Sequence, residues 1–147
     1  MDEVDLNGLY YALEDKSNKS LFGLTNAKIQ EINYKILQEL DLPENETNNL
    51  FQKLRGYKFV DELNDLKPGT FLRWISLIDD NPKVTLARGG IFCDTKITDN
   101  GIQLVVKNHY HKHYTLTFDD YFIFQKLTNQ ELILLSALDQ IHQEEEL

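Results

Sequence analysis

The chain has 147 residues, 41% of them apolar and 11% aromatic, which is the size of one ordinary domain. A chain of that length buries roughly 68–70% of the surface its unfolded form exposes, so it needs no disulfide staples. A net charge of −9 at pH 7 argues against a protein that coats nucleic acid, and the single cysteine, Cys93, excludes an internal disulfide and fits a reducing, cytoplasmic compartment.

Met1-Asp2-Glu3-Val4-Asp5 is acidic where a secretory signal needs a basic start and an apolar stretch. Apolar runs such as Tyr121–Phe124 and Leu132–Leu135 are too short to span a bilayer, so no membrane partner is expected. Two sequons, Asn18-Lys19-Ser20 and Asn45-Glu46-Thr47, then have no evident route to glycosylation and read as surface loop chemistry. Charge is unevenly spread. Residues 1–66 hold seven Lys/Arg against thirteen Asp/Glu, residues 67–127 eight against six, and residues 128–147 none against five. Only the middle segment does not repel an anionic partner.

In chain order, Leu6, Leu9, Tyr10 and Leu13 give a weak helical pattern, interrupted by Gly8. Ile29, Ile32, Ile36, Leu37 and Leu40 keep the 3–4 spacing of an amphipathic helix from about residue 26 to 40. Asp41-Leu42-Pro43-Glu44 reads as the start of another helix, with Asp41 at its cap. Leu50, Phe51 and Leu54 form that helix's buried stripe, and Gly56 its left-handed terminus. Together the two predict a helical hairpin within residues 1–66.

After the Lys67-Pro68-Gly69 turn the period changes. Thr70–Ile78 predicts a strand covered on both faces, closed by an Asp79-Asp80-Asn81-Pro82 turn. Val84–Ala87 and Ile91–Thr98 follow, separated by Gly89-Gly90, which predicts a bulge or sharp bend within one strand. Asp99-Asn100-Gly101 predicts a type I′ hairpin turn. Ile102, Leu104 and Val106 point inward after it, then Tyr114, Leu116 and Phe118, with Tyr121–Phe124 as a last short strand. Thr128-Asn129-Gln130-Glu131 is a capping box that opens a helix with Leu132, Leu135, Leu138 and Ile141 on its apolar side. The expected fold is α+β in a single domain spanning residues 1–147. It comprises a helical hairpin (1–66), a five-stranded antiparallel SH3-like or partly open barrel (67–127), and a C-terminal helix with an acidic tail (128–147). Trp74 and Phe118 are expected in its core.

Three stretches, Gly56-Tyr57-Lys58-Phe59-Val60-Asp61-Glu62-Leu63 through Trp74-Ile75, Gly89-Gly90-Ile91-Phe92-Cys93-Asp94 and Phe122–Thr128, carry a resemblance. They resemble small uncharacterised proteins of large nucleocytoplasmic DNA viruses, over roughly residues 50–140. The resemblance implies a viral protein made in host cytoplasm and transfers no functional residue.

His109, His111 and His113 are spaced two apart and on a continuous strand would share one face, as a zinc or copper site requires. An exposed row without a fourth ligand or supporting shell does not hold a metal well, and a hairpin tip would break the row. The same segment interleaves cations and rings: Lys107, His109, Tyr110, His111, Lys112 and Tyr114. Single-stranded nucleic-acid binders use such groups, cations on phosphates and rings on bases. Arg73, Arg88 and Lys96 extend the patch if the fold gathers them. Asp79-Asp80 and Asp119-Asp120 read as turn residues, Cys93 as a structural thiol, and Gly89-Gly90 lacks the partners of a phosphate loop. No catalytic residue, metal or cofactor is implied. The expected function is a non-enzymatic module that docks on protein partners or a larger assembly. Single-stranded RNA or DNA bound on the Lys107–Tyr114 face is the alternative.

Overall fold

A computed structural model describes residues 6–78 and 83–145. The helices are α1 (Leu6–Glu14), α2 (Asn26–Gln38), α3 (Glu44–Lys53) and α4 (Asn129–Glu145), and the strands are β1 (Tyr57–Phe59), β2 (Phe71–Ser76), β3 (Gly90–Thr98), β4 (Gly101–Lys107), β5 (His113–Thr117) and β6 (Tyr121–Lys126). Short 3₁₀ turns occupy Lys16–Leu21, Leu63–Asp65 and Phe118–Asp120. The expected Asp79–Pro82 turn lies outside the described residues.

Local chemistry sets the helix ends. The Thr25 hydroxyl caps α2 by accepting from the Lys28 amide at 3.1 Å, and the Asp139 carboxylate of α4 accepts from the Asn26 amide and side chain. Asp41 does not cap α3. It sits at φ 56 in the link between α2 and α3, a conformation that Asp tolerates better than most side chains, and Pro43 takes the N-cap position instead. Gly56, at φ 81, supplies the expected left-handed residue after α3.

The strands form one antiparallel six-stranded sheet in the order β1-β6-β2-β3-β4-β5. The sheet is open, not an SH3-like closure, and its strand set differs from the expected five. Val84–Ala87 contributes one bridge, Leu86 to Ile75, rather than a strand. β1 forms inside the segment assigned to helices, because its pairing comes from β6, far along the chain. Three residues are too few to show a period of two. The expected last strand is a central one, which is why Tyr121–Phe124 is apolar on both parities: Ile123 belongs to one core and Phe124 to another.

One face of the sheet packs Leu72, Trp74, Phe92, Leu104, Val106, Leu116 and Ile123 against Val60 and Leu66 of the β1–β2 connection. Behind β1, β6 and β2, Ile75 and Phe124 meet Leu37, Leu50 and Leu54 of the helical hairpin. Phe118 lies in a 3₁₀ turn just past the end of β5, where it packs against the Trp74 cluster but is only partly buried.

The Asp99-Asn100-Gly101 turn forms, but not as type I′. Thr98 pairs with Gly101, and only Gly101 of the three has positive φ, 108°. A type I turn closed by a left-handed glycine is the other common short hairpin. Gly89 and Gly90 are needed where they stand. A Cβ on Gly90 would lie 2.9 Å from the Lys107 carbonyl oxygen, and Gly89, at φ 107, presses on the Leu72 backbone and the Phe71 ring.

The capping box is present. The Glu131 carboxylate accepts from the Thr128 amide at 2.9 Å, and the Thr128 hydroxyl accepts from the Glu131 amide at 3.2 Å. α4 packs chiefly on α1 rather than on the sheet. Its buried apolar side chains are Leu134 and Leu135, clustered with Ala12, Leu21, Ile29 and Leu127, whereas Leu132 and Ile141 are exposed. Two adjacent leucines face inward because both α1 and the 3₁₀ turn after it cover α4. Deleting residues 128–147 uncovers that cluster, so the truncated chain is expected to aggregate on purification. A soluble truncated form with an unchanged thermal midpoint would show α4 to be dispensable.

Candidate interaction site on the hairpin joining β4 and β5

The His/Tyr/Lys segment divides at the fold. Lys107 ends β4, His113 begins β5, and residues 108–112 form the tip between them. Asn108 builds the tip. Its side-chain oxygen accepts from the Tyr110 amide at 2.9 Å and the Lys112 amide at 3.0 Å, while its own amide donates to the Lys112 carbonyl at 3.0 Å. These bonds satisfy tip donors that a loose loop would leave to water. His111 takes φ 63, and the straight row of three imidazoles is broken there. Among the described residues, no group of three His, Cys, Asp or Glu is placed to hold a metal ion.

His109, Tyr110, His111, Lys112 and His113 are exposed and Lys107 is half-buried. The Tyr110 side chain is 77% accessible, and its ring lies 3.9 Å from that of His109 at a 40° tilt. Residues 107–118 contain no acidic side chain.

The outlying members separate from this group. Tyr114 turns inward, its ring 5.9 Å from Trp74, and burial raises its phenol pKa above the ordinary value. The raised value makes the fold lose stability once pH climbs past about 10 and the phenol ionises. Arg73 points to the other side of β2 and donates through Nε to the Ala87 carbonyl at 2.9 Å. Burial raises the Tyr57 phenol, and the Arg73 charge offsets part of that rise. Lys96 is exposed but pairs with Gln103, four residues from Lys107, roughly 14 Å along the strand. Arg88 is exposed and leads into Gly89-Gly90, beside the end of β4. The fold therefore gathers Lys107, His109, Tyr110, His111 and Lys112, with Arg88 near them, and leaves Arg73, Lys96 and Tyr114 elsewhere.

The sheet's two terminal strands are treated differently. At β1 the buried side chain of Asn33, from α2, donates to the Tyr57 carbonyl at 2.9 Å and accepts from the Phe59 amide at 3.0 Å. These are the two bonds a neighbouring strand would make. At β5 no side chain among the described residues does this. The Asn108–Lys112 bond fixes the alternation, so Tyr114 and Leu116 bond to β4. His113, Thr115 and Thr117 then aim their backbone groups away from the sheet. Sequence reasoning missed Asn33, although its place between Ile29 and Leu37 on the buried stripe was a readable signal.

Two other features bear on function. Leu6, Tyr10, Tyr11 and Leu13 of α1 are at least half exposed, so the apolar stripe seen in the sequence is left largely bare. An apolar groove of about 380 Å³ runs between α2 and β1, lined by Leu24, Ile32, Ile36 and Phe59 with Lys58, Asp61 and Asp65 around it. No helix of the described residues is long and apolar enough to cross a membrane. Among known proteins, no family model, no curated protein and no solved structure matches the chain.

Proposed function

We propose that this chain is a non-enzymatic docking module that contacts a protein partner through the hairpin joining β4 and β5. One observation carries the reading: a braced, exposed tip of one lysine, two histidines and a tyrosine, with Lys107 at its root, free of carboxylates, on a molecule of net charge −9. Surface loops held rigid on a sheet are where binding residues concentrate, and an exposed tyrosine flanked by imidazoles, with a lysine beside them, has the composition of an interface anchor. A viral origin and a cytoplasmic setting belong to the same proposal. The test places a photo-crosslinking residue at Tyr110 and, as a control, at Ile97, the exposed residue near the far end of the β3–β4 arm. Crosslinks to a discrete protein from position 110 alone are expected, and equal yields from both positions would refute the assignment.

A second reading, single-stranded nucleic-acid binding, is favoured by the close His109–Tyr110 ring pair, a surface on which a base can stack. If it holds, replacing Lys107 and Lys112 together by Ala lowers the log–log salt slope for RNA by about 1.4, at about 0.7 per phosphate contact. No binding to RNA or single-stranded DNA at low salt and pH 6 would remove it.

A further inference from the structure

We infer that β5 is an acceptor edge for an extended acidic segment of a partner protein, which adds to the sheet as a seventh strand. The inference rests on the docking role proposed for the hairpin and specifies the partner's chemistry.

The backbone supplies the first half of the argument. His113, Thr115 and Thr117 turn their amides and carbonyls outward, by the alternation that the Asn108–Lys112 bond imposes. His113 and Thr115 are exposed. Their side chains lie on the face opposite Tyr114 and Leu116, which pack with the core. Exposed edges normally carry a device that blocks pairing: an inward charge, a proline, a bulge or a cover. β1 has its cover in Asn33, whereas the five residues of β5, His-Tyr-Thr-Leu-Thr, contain no proline, lysine or carboxylate. A partner strand pairs through its main chain, and its alternate side chains set specificity.

Charge supplies the second half. Lys107 stands opposite His113 across the β4–β5 ladder, and the tip beyond brings His109, His111 and Lys112 to the same end of the edge. At the other end Asp119 is exposed beside Asp120. A matching segment therefore carries its carboxylates toward the tip and is uncharged toward Thr117. A second copy of this chain brings another net charge of −9, which opposes association, and a nucleic acid has no peptide main chain with strand-spaced amides to complete the edge.

The test is a binding titration of the intact protein with a synthetic eight-residue peptide, alternating valine and threonine followed by two glutamates, so that antiparallel addition puts the carboxylates at the tip. Its twin is N-methylated at alternate amides, so that it keeps the charge and loses the strand donors. The plain peptide is expected to bind, and to slow amide hydrogen exchange at His113, Thr115 and Thr117. N-methylation is expected to weaken binding about tenfold or more, the equivalent of one or two main-chain bonds. Thr115→Pro removes one outward amide and none of the bonds to β4, so it should weaken the plain peptide similarly; if that variant misfolds, the exchange measurement on the unaltered protein decides.

Equal binding of both peptides would overturn the added strand and leave charge-based docking by the tip intact. Absence of peptide binding, with the crosslink at position 110 still specific, would have the same meaning. Loss of both would overturn the docking role as well. A dimer without peptide that Thr115→Pro dissolves would give the edge to a second copy, and single-stranded RNA displacing the peptide without protecting the three amides would favour the nucleic-acid reading.

Discussion

Replacing Trp74 by Ala is expected to lower the unfolding free energy by about 3–5 kcal/mol, the range for removing a large buried ring. Trp74 is 7% accessible and lies in β2 opposite Ile123 of the neighbouring central strand. Its ring packs with the Phe92, Val106 and Leu116 cluster and meets Tyr114 edge-on, so the cavity opens beneath the root of β5. Its carbonyl also accepts from the Ala87 amide, a bond that survives the substitution. The loss should therefore appear twice: as a lower urea midpoint, and as faster exchange of the Tyr114 and Leu116 amides before global unfolding begins. A loss below about 1 kcal/mol would mean that the core closes over the gap and that β5 does not depend on this ring.

The second large effect is expected at Lys67, where one ammonium joins three parts of the chain. It donates to the buried Asn18 side chain at 2.6 Å and pairs with Glu131 at 3.3 Å, a carboxylate only 4% accessible. The Lys67 amide donates to Gln125 of β6, whose own amide reaches the Asp65 carbonyl. Lys67→Met keeps the stem and removes the charge, leaving Glu131 buried without its cation. Breaking a buried pair from one side costs about 3–5 kcal/mol, and the residual exposure of Lys67 puts the expected loss near the lower end. Lys67→Met with Glu131→Gln should be less destabilised than Lys67→Met alone, because no unpaired charge remains. A double-mutant cycle by chemical denaturation measures the difference, and additive losses would show the pair to be solvated rather than coupled.

What the sequence disclosed was local. The spacing of Ile29, Ile36 and Leu37, the Thr128–Glu131 box, the left-handed Gly56 and the position of the β3–β4 turn each depend on residues within a few places of one another, and each is present. What it concealed was set at long range. β1 exists because β6 comes to it, and Asp41 reads as a cap until the path from α2 to α3 requires a left-handed residue there. The stripe of α1 was legible as a weak helical pattern, but helical periodicity does not say whether anything covers it. In the candidate site, the identities of the cations and rings were legible as a run from Lys107 to Tyr114. Their separation was not, since it depends on where β4 ends and on Asn108 binding the tip. The buried polar side chains Asn18 and Gln125 were the least visible, because composition offers no partner for them until the fold does.

Asn33 has a consequence for valency. A sheet that can recruit strands at both margins is divalent and can propagate through copy after copy into a fibre. Asn33 saturates the β1 margin from within, as a chain terminator does in a polymerisation. Of the two terminal strands only β5 can then accept, and a strand taken from a second copy through that same margin consumes the only acceptor of both molecules. Growth through the sheet's ends stops at one added strand or one symmetric pair, so the protein can keep an adhesive margin at high concentration without building filaments along that axis.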